Sequence, residues 1–314
     1  MRLPRFLPAA PAAAASLCLL ALSSPATAAE PAAASAGSAA TAAETPGLRG
    51  VRGGHIPLAG TVNTRDLGGL GTVSGRHIRE GLLFRSDSLG KLTDEGVEQL
   101  AGLGLRSVVD FRTPFEIEYD KPDRLPPGVT GTARPVSDNG SYKLLMDAIA
   151  SRDPQKQQEL LGDGKAEAAM HDIYRTFVTD PDSRAAFGAT LRDLARGDSA
   201  PVLFHCTSGK DRTGWMTYVL LRALGASKAT AEKDYLYSNT LRAETDKKAR
   251  DYLKESGAMQ NPDLIIPLQE VRTAYLDTAL AEITRGYGSF PAYLAKGLGL
   301  DPAAQARLRA RLLN

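Results

Sequence analysis

Cysteine is almost missing from this chain: two residues in 314 exclude a disulfide scaffold beyond a single bridge. An excess of one charge is missing too. Lys plus Arg total 38 against 36 for Asp plus Glu, which leaves no whole-chain basic field for binding nucleic acid. The apolar run at residues 9–22 is shorter than the roughly 18 to 20 residues a spanning helix needs. No cluster of His, Cys and Asp has ligand spacing, so neither a metal nor another cofactor is expected. The remainder is ordinary for a chain able to build a full core. At 43% hydrophobic and 24% charged residues, collagen-like and wholly disordered readings fall away.

Arg2 and Arg5, the apolar run, and the small residues Ala26 and Ala28 together predict a signal peptide over residues 1–28. Cys18 is a poor lipoprotein site, because it lies mid-run after the bulky Leu17. Cleavage near Ala28 removes Arg2, Arg5 and Cys18. The expected product is secreted or extracytoplasmic, has no stable membrane insertion, balances its charges at 36 each, and keeps Cys206 as its lone thiol. Such a thiol is a liability in an oxidising compartment unless it has a task. Residues 29–49 read as an Ala-rich disordered linker. Length alone suggests about two domains, but residues 50–314 read as one.

Strand and helix signals alternate within it. Thr93 precedes Asp94 and Glu95, and Val97, Leu100 and Leu103 recur at helical spacing up to Gly104. Residues 107–111 (SVVDF) and 201–204 (PVLF) are short apolar runs typical of buried strands. Asp180, Asp182 or Ser183 is expected to cap a helix carrying Phe187, Leu191 and Leu194. Another, with Met216, Val219, Leu220, Ala223 and Leu224, stops at Gly225. Further helices are predicted over 227–255, 268–283 and from Asp301 onward. The pattern predicts a single α/β domain whose central, mostly parallel sheet is covered on both faces by helices.

The chemistry concentrates at residues 205–214 (HCTSGKDRTG), between the second strand and the helix after it. Backbone N–H groups of Thr207, Ser208, Gly209 and Lys210, curled round a helix N-terminus, would bind a dianion such as phosphate. The helix dipole and Arg212 favour Cys206 as the nucleophilic thiolate. Arg212 has the planar fork to hold two phosphate oxygens, a grip that matters most as charge spreads in the transition state. Gly209 admits the backbone close to the anion, and Thr213 can give its hydroxyl to the sulfur. His205 is expected to buttress the loop rather than transfer protons. A merely packed role for Cys206 does not suit its small, hydrophilic neighbours. Lys210 is either a solvated lysine or added positive charge for substrates with further phosphates. Arg65, Arg85 and Arg112 are either structural or functional, and Asp66 braces a turn before Gly68 and Gly69.

HCTSGKDRTG resembles the HC-x5-R-[ST] signature of cysteine-dependent phosphatases, and its Gly-Lys-Asp-Arg interior resembles the exported bacterial tyrosine phosphatases of the mycobacterial tyrosine phosphatase B type. The segments at 63–69 (NTRDLGG), 84–86 (FRS) and 109–113 (VDFRT) with Glu116 are similar to that family's N-terminal blocks. Residues 234–236 (DYL) with Ser238 and Asn239, and 287–289 (YGS) with Tyr293 and Leu294, are similar to its C-terminal ones. The resemblance spans roughly residues 55 to 312 and makes residues 50–314 a tyrosine phosphatase-like catalytic domain. It implies a cysteinyl-phosphate mechanism without a cofactor. Phosphotyrosine would be the substrate, alongside phosphoserine, phosphothreonine or phosphoinositides, the last as the alternative main activity. Many members keep a general acid on a loop marked Trp-Pro-Asp, but the lone tryptophan here is Trp215, after the loop. The resemblance places the acid within the loop, at Asp211, with Asp110 at the end of its strand as the alternative.

Two readings of other classes stand beside this one. A rhodanese-type sulfurtransferase also cradles an anion beside a cysteine, but Lys210, Asp211 and the Arg212-Thr213 ending suit phosphate better. A non-catalytic phosphate-binding module would have no reason to keep both Cys206 and Arg212. Amphipathic stretches at 142–149 and 155–161 are expected to form a helical lid over the site.

Overall fold

A computed structural model describes residues 54–197 and 199–314; the expected signal peptide and linker lie outside the described residues. Strands β1 (Arg65–Asp66), β2 (Leu83–Ser86), β3 (Ser107–Asp110), β4 (Thr130–Ala133) and β5 (Val202–His205) form one sheet in the order β1-β2-β5-β3-β4. β1 is antiparallel to β2, and every other pairing is parallel. Every residue of β5 is buried, as befits a strand paired on both edges and covered on both faces. Its register sets His205 level with Ser86 of β2 and Asp110 of β3. Three parallel strands therefore end side by side, the edge at which α/β folds place their ligands.

The helices are α1 (Asp94–Ala101), α2 (Pro114–Asp120), α3 (Ser141–Ser151), α4 (Pro154–Leu161), α5 (Lys165–Thr179), α6 (Pro181–Arg196), α7 (Arg212–Leu224), α8 (Lys228–Glu255), α9 (Ile266–Gln269), α10 (Thr273–Tyr287), α11 (Phe290–Ala292) and α12 (Pro302–Leu312). Strand alternation divides them into two layers. Leu83, Val109, Val202 and Phe204 point into the larger core with α5, α6, α7, α10 and α12, while Phe84, Val108 and Leu203 point into a smaller one with Leu100 of α1. Each such fully buried large side chain contributes about 1.5–3 kcal/mol. The α/β architecture with a mostly parallel sheet is thus the one the sequence predicts.

The local differences have physical causes. α6 is capped by Asp180, which accepts from Ser183 N at 2.7 Å, because Pro181 suits the first helical position; Asp182 and Ser183 lie inside the helix. The helix expected over 268–283 is broken between α9 and α10. Asn239 of α8 accepts from Val271 N and donates to Val271 O, both at 2.8 Å, and so removes Val271 from any helical ladder. β1, β2, β4, α2 and α5 were not anticipated. The lid stretches are helical, as α3 and α4, and they pack with Leu253, Met259 and Ile265 in a third apolar cluster apart from the main core.

Candidate active site

β5 delivers His205 and Cys206 to the sheet edge, and α7 begins six residues after the cysteine, at Arg212. The loop between them is tied down by its carbonyls. Thr207 O accepts from Ser88 N at 3.1 Å, Ser208 O from Asn63 Nδ2 at 3.0 Å, and Gly209 O from Arg85 Nη2 at 2.7 Å. The N–H groups of residues 207–211 meet no acceptor among the described residues. With three carbonyls of the loop already bonded, these N–H groups are left for an anion, as in a nest. Gly209 turns there at φ 65°, and a Cβ would stand 2.4 Å from Ser86 O, so only glycine fits.

Cys206 is 2% exposed and Arg212 6%. Arg212 Nη1 donates to Glu116 Oε2 at 2.6 Å, Nη2 donates to Oε1, and Phe111 O accepts from Nη1 at 3.1 Å. Thr207 Oγ1 also donates to Glu116, at 2.5 Å. Glu116 is positioned by α2, whose capping box joins it to Thr113. Burial pushes the Glu116 carboxyl up, but Arg212 and Thr207 outweigh it and bring the group down to about 2. Burial likewise opposes the Arg212 charge, and Glu116 more than offsets it, holding the guanidinium above its ordinary value. Glu116 carried no role in the sequence reading.

Asp211 and Lys210 lie beside this pair. Lys210 is 2% exposed, which removes the solvated reading; its Nζ donates to Asp211 Oδ2 at 2.6 Å and to Glu270 O at 3.3 Å. Asp211 Oδ1 accepts from Tyr174 of α5, a residue the sequence reading missed along with its helix. Arg242 of α8 adds a further buried cation near the loop, with Nη1 3.4 Å from Ser208 O.

His205, Asp110 and Arg112 form a separate buried network. His205 Nε2 lies 2.8 Å from Asp123 Oδ2, and Arg112 donates to both Asp110 and Asp123. Burial disfavours protonated His205, but Asp123 and then Asp110 reverse this and raise it above its ordinary value. Asp110 thus has its carboxylate engaged by Arg112, whereas Asp211 stands on the loop itself. Asp110, Asp123 and His205 bring potential ligand atoms within 4.8 Å of one another, a cluster that sequence spacing did not reveal. Arg112 already supplies the cation between its carboxylates. Thr213 Oγ1 is buried with no hydrogen-bond partner, so the expected bond to Cys206 is not formed.

Arg65 and Arg85 are structural, buried and paired with Asp234 behind the loop. Asp66 braces its turn, accepting from Gly68 N at 2.8 Å and Gly81 N at 2.7 Å.

Residues 56–314 match the model of a tyrosine phosphatase family. A Cupriavidus necator protein whose name places it among tyrosine-protein phosphatases is 34% identical over 244 residues, 77% of this chain and 83% of that one. The triple specificity protein phosphatase PtpB of Mycobacterium tuberculosis is 28% identical over 278 residues, 82% of this chain and 98% of its own. A tyrosine-protein phosphatase of Nostoc commune is 29% identical over 232 residues, 73% of each chain.

Proposed function

The chain belongs to the tyrosine phosphatase family and is a phosphatase, and on that premise we propose that it is an exported, cysteine-dependent phosphomonoesterase acting on phosphotyrosine. The observation that carries this reading is the loop: Cys206, Arg212 and five backbone N–H groups that meet no acceptor among the described residues share one strand-to-helix turn. Cys206 attacks phosphorus in line while Arg212 and the loop N–H groups hold the equatorial oxygens. Asp211 protonates the leaving oxygen, and the same carboxylate then draws a proton from the water that hydrolyses the cysteinyl-phosphate. Glu116 fixes the Arg212 fork in advance, so little reorganisation is needed as charge develops. The name of the mycobacterial relative, triple specificity, supports phosphoserine and phosphothreonine as further substrates. Buried cations at Lys210 and Arg242 support phosphoinositides as a further class.

The test is phosphate release from a phosphotyrosine peptide by residues 30–314, in EDTA and reductant, beside Cys206→Ser. Turnover that vanishes in the variant is the expected result, and equal turnover in both would sink the assignment of Cys206. Export is tested by expressing the full chain and sequencing the N-terminus outside the cytoplasm. A product still carrying residues 1–28 inside the cell would overturn it.

α3 and α4 act in this reading as a lid. Tyr142 of α3 contacts Phe115 and Tyr119 of α2, at ring distances of 6.2 and 6.3 Å, next to Glu116. Hydrogen exchange is expected to be faster in α3 and α4 than in α7; equal protection would remove the lid.

A further inference from the structure

Asp211 stands at the start of α7, yet its side chain caps nothing in that helix. Its two oxygens instead meet donors from two sides: Tyr174 Oη at 3.0 Å on Oδ1, and Lys210 Nζ at 2.6 Å on Oδ2. Behind Tyr174, the hydroxyl of Tyr235 on α8 donates to Tyr174 Oη at 2.7 Å, the nearer of its two acceptors, since the carbonyl of Arg272 lies at 3.3 Å. A phenol carries one proton. Tyr174 receives from Tyr235 and directs its own to Asp211, so the chain runs one way, from Tyr235 through Tyr174 to the carboxylate. Both tyrosines are fully buried, and α5, α8 and the loop must meet for the chain to exist. Burial first, and then the charge of Asp211, hold both phenols well above their usual range, so they remain donors. The other charged and titratable groups facing Asp211 are Arg242 from α8 and Tyr275 from α10. Packing alone would be served by phenylalanine; a buried hydroxyl on the carboxylate, with a second hydroxyl behind it, needs another reason.

We infer that Tyr174 is a positioning residue for the reaction, its hydroxyl fixing the Asp211 carboxylate at the loop. The inference rests on the acid–base role of Asp211 proposed above. It names the group that sets where that carboxylate sits.

Steady-state phosphate release across pH, with thermal melts, compares Tyr174→Phe, Tyr235→Phe, Asp211→Asn and the double variant Tyr174→Phe/Asp211→Asn with wild type. Tyr174→Phe is expected to fold, to lose about tenfold in kcat, and to keep KM within about twofold. A carboxylate that loses a donor holds its proton to higher pH. The limb of the kcat profile that disappears in Asp211→Asn should therefore move to higher pH in Tyr174→Phe, and in the same direction by less in Tyr235→Phe. On the Asp211→Asn background, Tyr174→Phe should cost nothing further in kcat. An unmoved limb, or losses that multiply in the double variant, would leave Tyr174 a packing residue and overturn the inference. Wild-type kcat and pH profile in Asp211→Asn would instead bring down the reading of Asp211. An impaired Asp211→Asn beside a wild-type-like Tyr174→Phe would bring down only the inference.

Discussion

Arg212 and Asp211 are neighbours in the chain, and the fold holds them by opposite means. Arg212 is locked by a two-pronged ion pair with Glu116 and by the carbonyl of Phe111. The Asp211 side chain is 19% exposed and is held by a phenol and an ammonium. The first arrangement suits a charge that must never change, since losing either partner strands the other in a buried site. The second suits a group that must exchange a proton in place, because neutral phenols and solvent access leave that exchange open. One loop thus carries a locked cation and a more loosely held, partly exposed carboxylate side by side.

The comparison breaks most visibly at Arg212. Arg212→Lys keeps the charge and loses the planar fork that meets both Glu116 oxygens and two phosphate oxygens. A fall of about 10²–10³ in kcat/KM is expected, from steady-state phosphate release, comparable to losing an oxyanion donor. A loss below tenfold would mean that charge alone matters there.

Glu116→Gln comes next, with a stability loss of about 3 kcal/mol from an uncompensated buried Arg212. The pH dependence has a definite sign. Folding lowers the Glu116 carboxyl from 4.5 to about 2, so its stabilisation is complete above the unfolded value and is lost as pH falls through that window. At 1.36 kcal/mol per unit this is again about 3 kcal/mol. Thermal melts should show Tm of the wild type falling more steeply from about pH 5 toward pH 2 than that of Glu116→Gln. Parallel slopes would mean the pair is not closed in solution.

The two ends of the loop also differed in how far they could be read from the sequence. Cys206 to Thr213 are contiguous, and a strand, a glycine and a helix start around them point to an anion loop. What holds them is scattered. Thr113 and Glu116 have capping-box spacing, which foretells α2 but not that the carboxylate of Glu116 also meets Arg212. Tyr174 was missed with α5, although Met170, Ile173, Tyr174 and Phe177 recur at helical spacing. The helix starts at Gly164, with φ 78° and no side-chain cap, and so lacks the usual start signal. β4 reads TGTA and offers no large apolar residue, since as an edge strand it is held by its ladder to β3. The break at Val271 depends on Asn239, a distant amide that no local pattern reveals.

Gly209→Ala should act on both ends at once. Its positive φ costs about 1–3 kcal/mol for a residue with a Cβ, and the contact with Ser86 O forces the loop to shift. Lower Tm and about tenfold lower kcat are expected, since a shifted loop misplaces its N–H donors. Unchanged kcat would show that the loop tolerates a movement that the Arg212 lock opposes.

The smallest effect sharpens the comparison from the Asp211 side. Asn239 satisfies both backbone groups of Val271, and the preceding residue, Glu270, offers the carbonyl that takes Lys210 Nζ. Asn239→Ala leaves that N–H and C=O without partners at about 1–2 kcal/mol, which a melt will register. Its reach toward Asp211 is indirect: Val271 to Glu270, then Lys210, then the carboxylate. If the phenol chain dominates at this end, kcat should fall by no more than about twofold. A loss matching that of Tyr174→Phe would show that Asp211 depends on a rigid Lys210 as much as on its phenol. The two ends of the loop would then be held alike, and their contrast would reduce to which partner can give up a proton.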